Sequence, residues 1–88
     1  MRPDRVMVVD DDLSMRQMLS ILLKRSGYVV ETASSAEEAI AAVDKAWPDL
    51  VLTDLNMPGM HGIDLLIEMK KLAAQSERDV EVIVVTAY

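Results

Sequence analysis

The residues best placed to do chemistry are acidic, and they come as a cluster and a singleton. Asp10, Asp11 and Asp12 follow the apolar run Val6-Met7-Val8-Val9, and Asp54 ends the run Leu50-Val51-Leu52-Thr53. A third run, Val82-Ile83-Val84-Val85, leads to the hydroxyl of Thr86. Carboxylates held close together repel strongly, and they tolerate one another only if some are protonated or a divalent cation sits between them. Mg²⁺ is the natural cation. It is hard, takes oxygen ligands and usually keeps some waters, so one or two carboxylates with a backbone carbonyl and a phosphate oxygen would complete its shell. An aspartate carboxylate is a weak nucleophile toward phosphorus. Phosphoryl transfer, however, asks mainly for in-line positioning and charge neutralisation, which a cation on neighbouring carboxylates provides.

Whether these groups meet depends on the elements that carry them. Four short β-type runs, Arg5 to Asp10, Tyr28 to Thr32, Leu50 to Asp54 and Glu81 to Thr86, alternate with three helical patterns. That alternation predicts βαβ units around a parallel sheet. The first, third and fourth runs are nearly continuous Val, Ile, Leu and Met, as strands buried on both faces should be, whereas Val30-Glu31-Thr32 is more polar and suits a sheet edge. The first helix carries Met15, Met18, Leu19, Leu22 and Leu23 as a buried stripe, with Ser14 and Gln17 as its capping box and Gly27 near its end. The second has Ser35 and Glu38 as capping box and Ala36, Ala39, Ile40 and Val43 as its stripe, and it continues until Pro48 forbids more. The third runs from about Ile63 to Leu72, and Gly62 before it leaves the backbone room to bend after the Met57-Pro58-Gly59 turn. Ala73 to Asp79 reads as a polar connection to strand four. Right-handed crossovers make every strand parallel, so the carboxyl ends of strands one, three and four open on one edge of the sheet. The binding crevice of such a sheet lies outside those ends, where strand order reverses, and there Asp10, Asp11 and Asp54 can meet.

Val8-Val9-Asp10-Asp11, then Leu52-Thr53-Asp54-Leu55-Asn56-Met57-Pro58-Gly59-Met60-His61-Gly62, then Val84-Val85-Thr86-Ala87 resembles, in order and spacing, the receiver domain of two-component response regulators. The resemblance covers the whole chain. It implies an α/β, flavodoxin-like three-layer sandwich with parallel strand order 2-1-3-4. It also implies that Asp54 is the phosphoacceptor, taking its phosphoryl group from a sensor histidine kinase. By position, Asp11 would be a direct Mg²⁺ ligand, Asp10 would act at least partly through water, and Asp54 and the backbone carbonyl of Asn56 would supply further oxygens. Thr86 would be the switch hydroxyl that bonds the phosphoryl oxygen. The protein would then relay a conformational signal to an output domain or downstream protein. The Thr86-Ala87-Tyr88 ending and the first helix resemble regulators of the enhancer-binding transcription-activator type. On this reading the chain is no enzyme, beyond self-catalysed phosphorylation and dephosphorylation.

One departure from the family pattern matters. Receiver domains continue through a fourth helix, a fifth strand ending in a lysine that pairs with the phosphoryl group, and a fifth helix, whereas this sequence ends at Tyr88. Residues 1–88 are therefore expected to form a single receiver domain, incomplete at its carboxyl end. Strand four would be an edge with no proline or inward charge to blunt it, flanked by uncovered apolar surface, so self-association is expected.

Bulk properties narrow the partners. Eighty-eight residues make one domain at most, and the 51 % apolar and 27 % charged composition is ordinary for a soluble globular domain. No apolar run approaches the ~18 residues of a membrane span, and the Met1-Arg2-Pro3-Asp4-Arg5 start lacks the features of an export signal, which points to the cytoplasm. The absence of cysteine excludes disulfides and thiolate metal sites, leaving oxygen ligands for any metal. A net charge of −6 with nine Lys and Arg disfavours direct nucleic-acid binding.

Plainer roles account for several neighbours. Asp12 suits the dipole at the start of the first helix without touching metal. His61 reads as an exposed loop residue, Met15 and Met18 as core, Trp47 as packing, and Lys70 and Lys71 as a solvated charge pair. Asp10-Asp11-Asp12-Leu13-Ser14 also resembles the nucleophile motif of haloacid-dehalogenase-type phosphatases, in which Asp10 would carry the phosphoryl group and Thr86 the second motif. That alternative gives no role to Asp54. A degenerate receiver serving only as a dimerisation module is the third reading, favoured by the missing lysine and opposed by the full acidic set.

Overall fold

The β-branched runs and amphipathic segments fold as their alternation predicts. A computed structural model describes residues 5–55, 57 and 59–85. Strand β1 (Arg5–Val9), helix α1 (Leu13–Arg25), β2 (Val29–Ala33), α2 (Ala36–Val43), β3 (Leu50–Asp54), α3 (Gly62–Ser76) and β4 (Glu81–Val85) follow in order. The strands form one parallel sheet in the order β2-β1-β3-β4. Its edges are the polar β2, as expected, and β4. Register pairs Val9 with Ala33 and with Thr53, and Asp54 with Val85, so the carboxyl ends of the strands share one rim.

The chain steps from β1 outward to β2 and then back past β1 to β3 and β4, so the crossovers place α1 on one face of the sheet and α2 and α3, packed together, on the other, among the described residues. The main core lies on the two-helix face. Met7, Val9 and Val51 from the sheet meet Ala36, Ala39 and Val43 of α2 and Leu65, Met69 and Ala73 of α3, closed by Met57 and Val80. The small alanines let α2 approach closely, while Leu65 and Met69 supply most of the volume from α3.

The α1 face is less covered than the helical stripe implies. Val6 and Val8 are buried beneath it, yet α1 has no fully buried residue. Met15, Leu19 and Leu23 are half-buried, whereas Met18 and Leu22 are 48 % and 52 % exposed. The expectation that Met18 belongs to the core is therefore corrected: among the described residues no second helix stands beside α1 to cover its flank. Alternation along β4 turns Val82 toward the core and Ile83 and Val85 toward this same face, each about half exposed.

Helix boundaries depart from expectation in three places. Asp12, not Ser14, caps α1: its Oδ1 accepts the amides of Ser14 and Met15 at 2.9 and 3.4 Å, because the chain turns immediately after β1. Helix α2 stops at Val43, well before Pro48, where the amides of Lys45 and Ala46 both turn back to the Ala42 carbonyl. The segment read as a polar connection is largely helix, since buried Ala73 extends the α3 stripe; the helix closes where Glu77 adopts φ 54° and the Arg78 amide bonds the Ala73 carbonyl. At α2 the Ser35 hydroxyl accepts the Glu38 amide as expected, but the Glu38 carboxylate bonds Ser34 Oγ instead of closing the box. Lys70 is not a merely solvated charge, for its Nζ donates to the Val80 carbonyl at 2.6 Å, while Lys71 pairs with Glu68. Trp47 packs against the core as expected, donates Nε1–H to the Asp79 carbonyl, and lies under the Arg78 guanidinium.

Candidate functional site: an acidic cluster at the sheet rim

The site is built at the point where strand order reverses, between the carboxyl ends of β1 and β3. Asp10 continues the ladder for one residue past β1, its amide bonding the Ala33 carbonyl at 3.1 Å. Its Oδ1 accepts the Asp12 amide at 2.9 Å, and its backbone carbonyl accepts Nη1–H of Arg16 at 2.8 Å. Asp11, next along, is exposed, and Asp54 reaches the same place half-buried at the end of β3. Each of the three offers a carboxylate oxygen, and these atoms all lie within 4.8 Å of one another. The structure thus brings together Asp10, Asp11 and Asp54, and leaves Asp12 in the capping role. The predicted Asn56 carbonyl and Thr86 hydroxyl fall outside the described residues.

Crowding leaves a signature on Asp10. Partial burial pushes its carboxyl above the ordinary value; the Asp12 amide pulls the other way, and the charges of Asp54, Asp11 and Asp12 add to the rise. Such a group is held charged only at a cost, which a cation would relieve. An all-oxygen, carboxylate-rich donor set suits a hard divalent cation such as Mg²⁺. Beside the cluster, on the α1 face, a cleft of about 270 Å³ is lined by apolar Met15, Leu19, Leu52 and Val85. Its low-polarity walls strengthen electrostatic interactions at the acidic rim.

The backbone under Asp54 is tightly held. Thr53 is fully buried and its Oγ1 donates to the Asp54 carbonyl at 3.2 Å, while the Leu55 amide bonds the Val85 carbonyl and the Gly62 amide the Leu55 carbonyl. A Cβ at Gly62 would collide with the Asp54 carbonyl oxygen and lie 3.1 Å from Leu55 Cα. Glycine there is needed so that α3 can begin directly against the backbone of Asp54. Gly59 has φ 79°, a left-handed conformation open to glycine, and faces Glu37 of α2. His61 is exposed, as expected, and is the N-cap residue of α3, its amide donating to Asp64 Oδ2. Arg16 and Thr53 join the site although the motifs give them no role. A cation in the first turns of a helix, set against the dipole, was the available signal for Arg16.

A four-stranded 2-1-3-4 parallel sheet with an acidic triad at its switch point defines the receiver class, and the comparisons agree. The family described as the response regulator receiver domain matches residues 6–88, and the chain belongs to it. It is 35 % identical over its whole length to sporulation initiation phosphotransferase F of Bacillus subtilis, of which it spans 68 %. Over 61 residues, 69 % of this chain, it is 46 % identical to the DNA-binding response regulator MtrA of Mycobacterium tuberculosis, but it spans 27 % of that protein. Among solved structures, the response regulator TrrA of Thermotoga maritima, in complex with Mg²⁺ and BeF, superposes with a TM-score of 0.85 at 34 % identity, covering 97 % of this chain and 70 % of that one.

Proposed function

We propose that this receiver domain takes a phosphoryl group from a sensor histidine kinase onto Asp54, with Mg²⁺ held by Asp10, Asp11 and Asp54, and relays the change to an output. The observation that carries this reading is the convergence of the three carboxylates within 4.8 Å at the switch point of the sheet. In the transfer, the bond from phosphorus to the kinase imidazole nitrogen breaks as a bond to an Asp54 carboxylate oxygen forms, and the imidazole keeps the electron pair. The cation supplies neutralisation of the charge on the phosphoryl oxygens and of the crowded carboxylates. The protein's own share is positional. Thr53 and Gly62 hold the Asp54 backbone, and the Asp12 amide orients the Asp10 carboxylate.

The backbone carbonyl of Asn56 completes the metal donors in this reading, and Thr86 receives the phosphoryl oxygen and carries the switch. The domain works in the cytoplasm, and any control of transcription passes through another part of the protein, since a net charge of −6 with nine Lys and Arg disfavours binding to a phosphate backbone. The complex of TrrA with Mg²⁺ and BeF supports the choice of cation. A phosphatase using Asp10 gains no support, because it leaves the β3 carboxylate and its tightly held backbone without purpose.

Incubation with acetyl phosphate tests the proposal by intact mass. One phosphoryl group should be gained with Mg²⁺, none after chelation, and none in Asp54→Asn. Equal labelling of Asp54→Asn would overturn the assignment.

A further inference from the structure

We propose that Arg16 is a positioning residue of the acidic cluster, setting the Asp10–Asp11 peptide so that cation affinity depends on a side chain that does not itself ligate the cation. The inference rests on the metal-binding reading above. Arg16 is the fourth residue of α1, where a positive charge opposes the helix dipole and a neutral residue would be better tolerated. Its side chain runs back toward the amino end of the helix, as helical side chains do, and is half-buried there. It ends on the Asp10 carbonyl, Nη1 to oxygen 2.8 Å.

That carbonyl is the hinge of the site. On its amino side the Asp10 amide is anchored to Ala33 of β2; on its carboxyl side the Asp12 amide is anchored to the Asp10 carboxylate, and Asp12 in turn caps α1. The Asp10–Asp11 peptide between these anchors aims both acidic side chains, and Arg16 holds its oxygen. By donating to a backbone carbonyl, this nitrogen consumes no carboxylate oxygen of the cluster. A charge-assisted bond of this kind is stronger and more directional than a neutral one. Mg²⁺ demands near-ideal octahedral placement of its ligands, so a loosened peptide is felt directly in its affinity.

Charge and position predict opposite signs, which makes the idea testable. A nearby guanidinium repels a cation, so if charge alone mattered, its removal would tighten Mg²⁺ binding. If the tether matters, its removal weakens binding. Calorimetric titration of the full chain with Mg²⁺ should show affinity falling by about 10-fold to 100-fold in Arg16→Gln, the range for groups that orient metal ligands. Arg16→Lys, which can still donate to the carbonyl, should recover a substantial part. Met69→Ala, which cuts the core far from the rim, should lower the melting temperature and leave Mg²⁺ affinity unchanged, separating positioning from general destabilisation. Unchanged or tighter binding in Arg16→Gln, or Lys no better than Gln, would overturn the inference. Hydrogen exchange of the Asp12 amide in the metal-free chain gives an independent reading. It should quicken in Arg16→Gln more than in Met69→Ala, and equal quickening would count against the tether. A wild-type chain with no Mg²⁺ affinity would instead overturn the metal reading itself.

Discussion

At the scale of single residues, the site is a balance between carboxylates that repel and bonds that hold them in place. Asp10 carries the clearest consequence. Its carboxyl is raised in the folded state, first by burial and then by neighbouring charges, so its ionisation works against folding. The sign follows by linkage: the contribution of Asp10 to stability is fully present below the ordinary value of 3.8 and is lost as pH rises through the raised folded value. Without metal, Asp10→Asn should therefore melt higher than wild type at neutral pH, and the advantage should shrink on acidification. Calorimetric scans of both chains at acidic and neutral pH check this, and a variant that melts lower at neutral pH would contradict it. Asp11→Asn should weaken Mg²⁺ binding by at least about tenfold, because removing a ligating carboxylate takes both a donor and its charge from the cation. Titration showing unchanged affinity would remove Asp11 from the ligand set. The acidic triad was legible because receiver-like motifs mark it at the ends of β1 and β3. Arg16 and Thr53 were not, since each acts by bonding a backbone carbonyl, and such a partner leaves no mark in the residue types.

At the scale of elements, the four strands and their parallel βαβ linkage could be read from alternation, whereas their order followed from the resemblance to receiver domains. Helix ends were harder. Asp12 and Ser14 are both good caps, and only the Asp12 amide folding onto the Asp10 carboxylate decides between them. Asp12→Ala should cost about 1 kcal/mol of stability through the lost cap. Denaturant unfolding measures it, and a neutral result would return the cap to Ser14. The start of α3 is more demanding. Gly62→Ala drives a methyl into the Asp54 backbone, and a well-packed site that must shift to admit one loses about 1–3 kcal/mol. Because the displaced atoms carry the Asp54 carboxylate, the same variant should label more slowly with acetyl phosphate. Normal labelling at reduced stability would show that the backbone under Asp54 has slack. Helix α3 outran its expected end because alanines at 73 and 74 carry the helix past Leu72 while adding little to an apolar count.

At the scale of the whole molecule, the two sides of the sheet are unequal. Among the described residues two helices cover one face and α1 the other, where Met18, Leu22, Ile83 and Val85 remain about half exposed beside the β4 edge. An apolar face next to unpaired strand groups is a template for another chain, so the 88-residue chain studied alone should associate at micromolar concentration. Light scattering checks this, and Ile83→Lys, which places a charge on that face, should shift the distribution toward monomer. Association unchanged by the substitution would place the contact elsewhere. This asymmetry was half legible: the bare β4 edge follows from strand order, but the exposure of Met18 and Leu22 does not, because helical periodicity reveals an apolar stripe without saying how many neighbours cover it. The proposed function turns on the acidic rim, with Asp54 as the proposed phosphoacceptor. Its most direct test is peptide mapping of the wild-type chain after labelling with acetyl phosphate and Mg²⁺. The phosphoryl group should appear on the peptide containing Asp54 and not on the peptide containing Asp10 to Asp12; label on the Asp10 peptide, or label indifferent to Mg²⁺, would contradict the assignment.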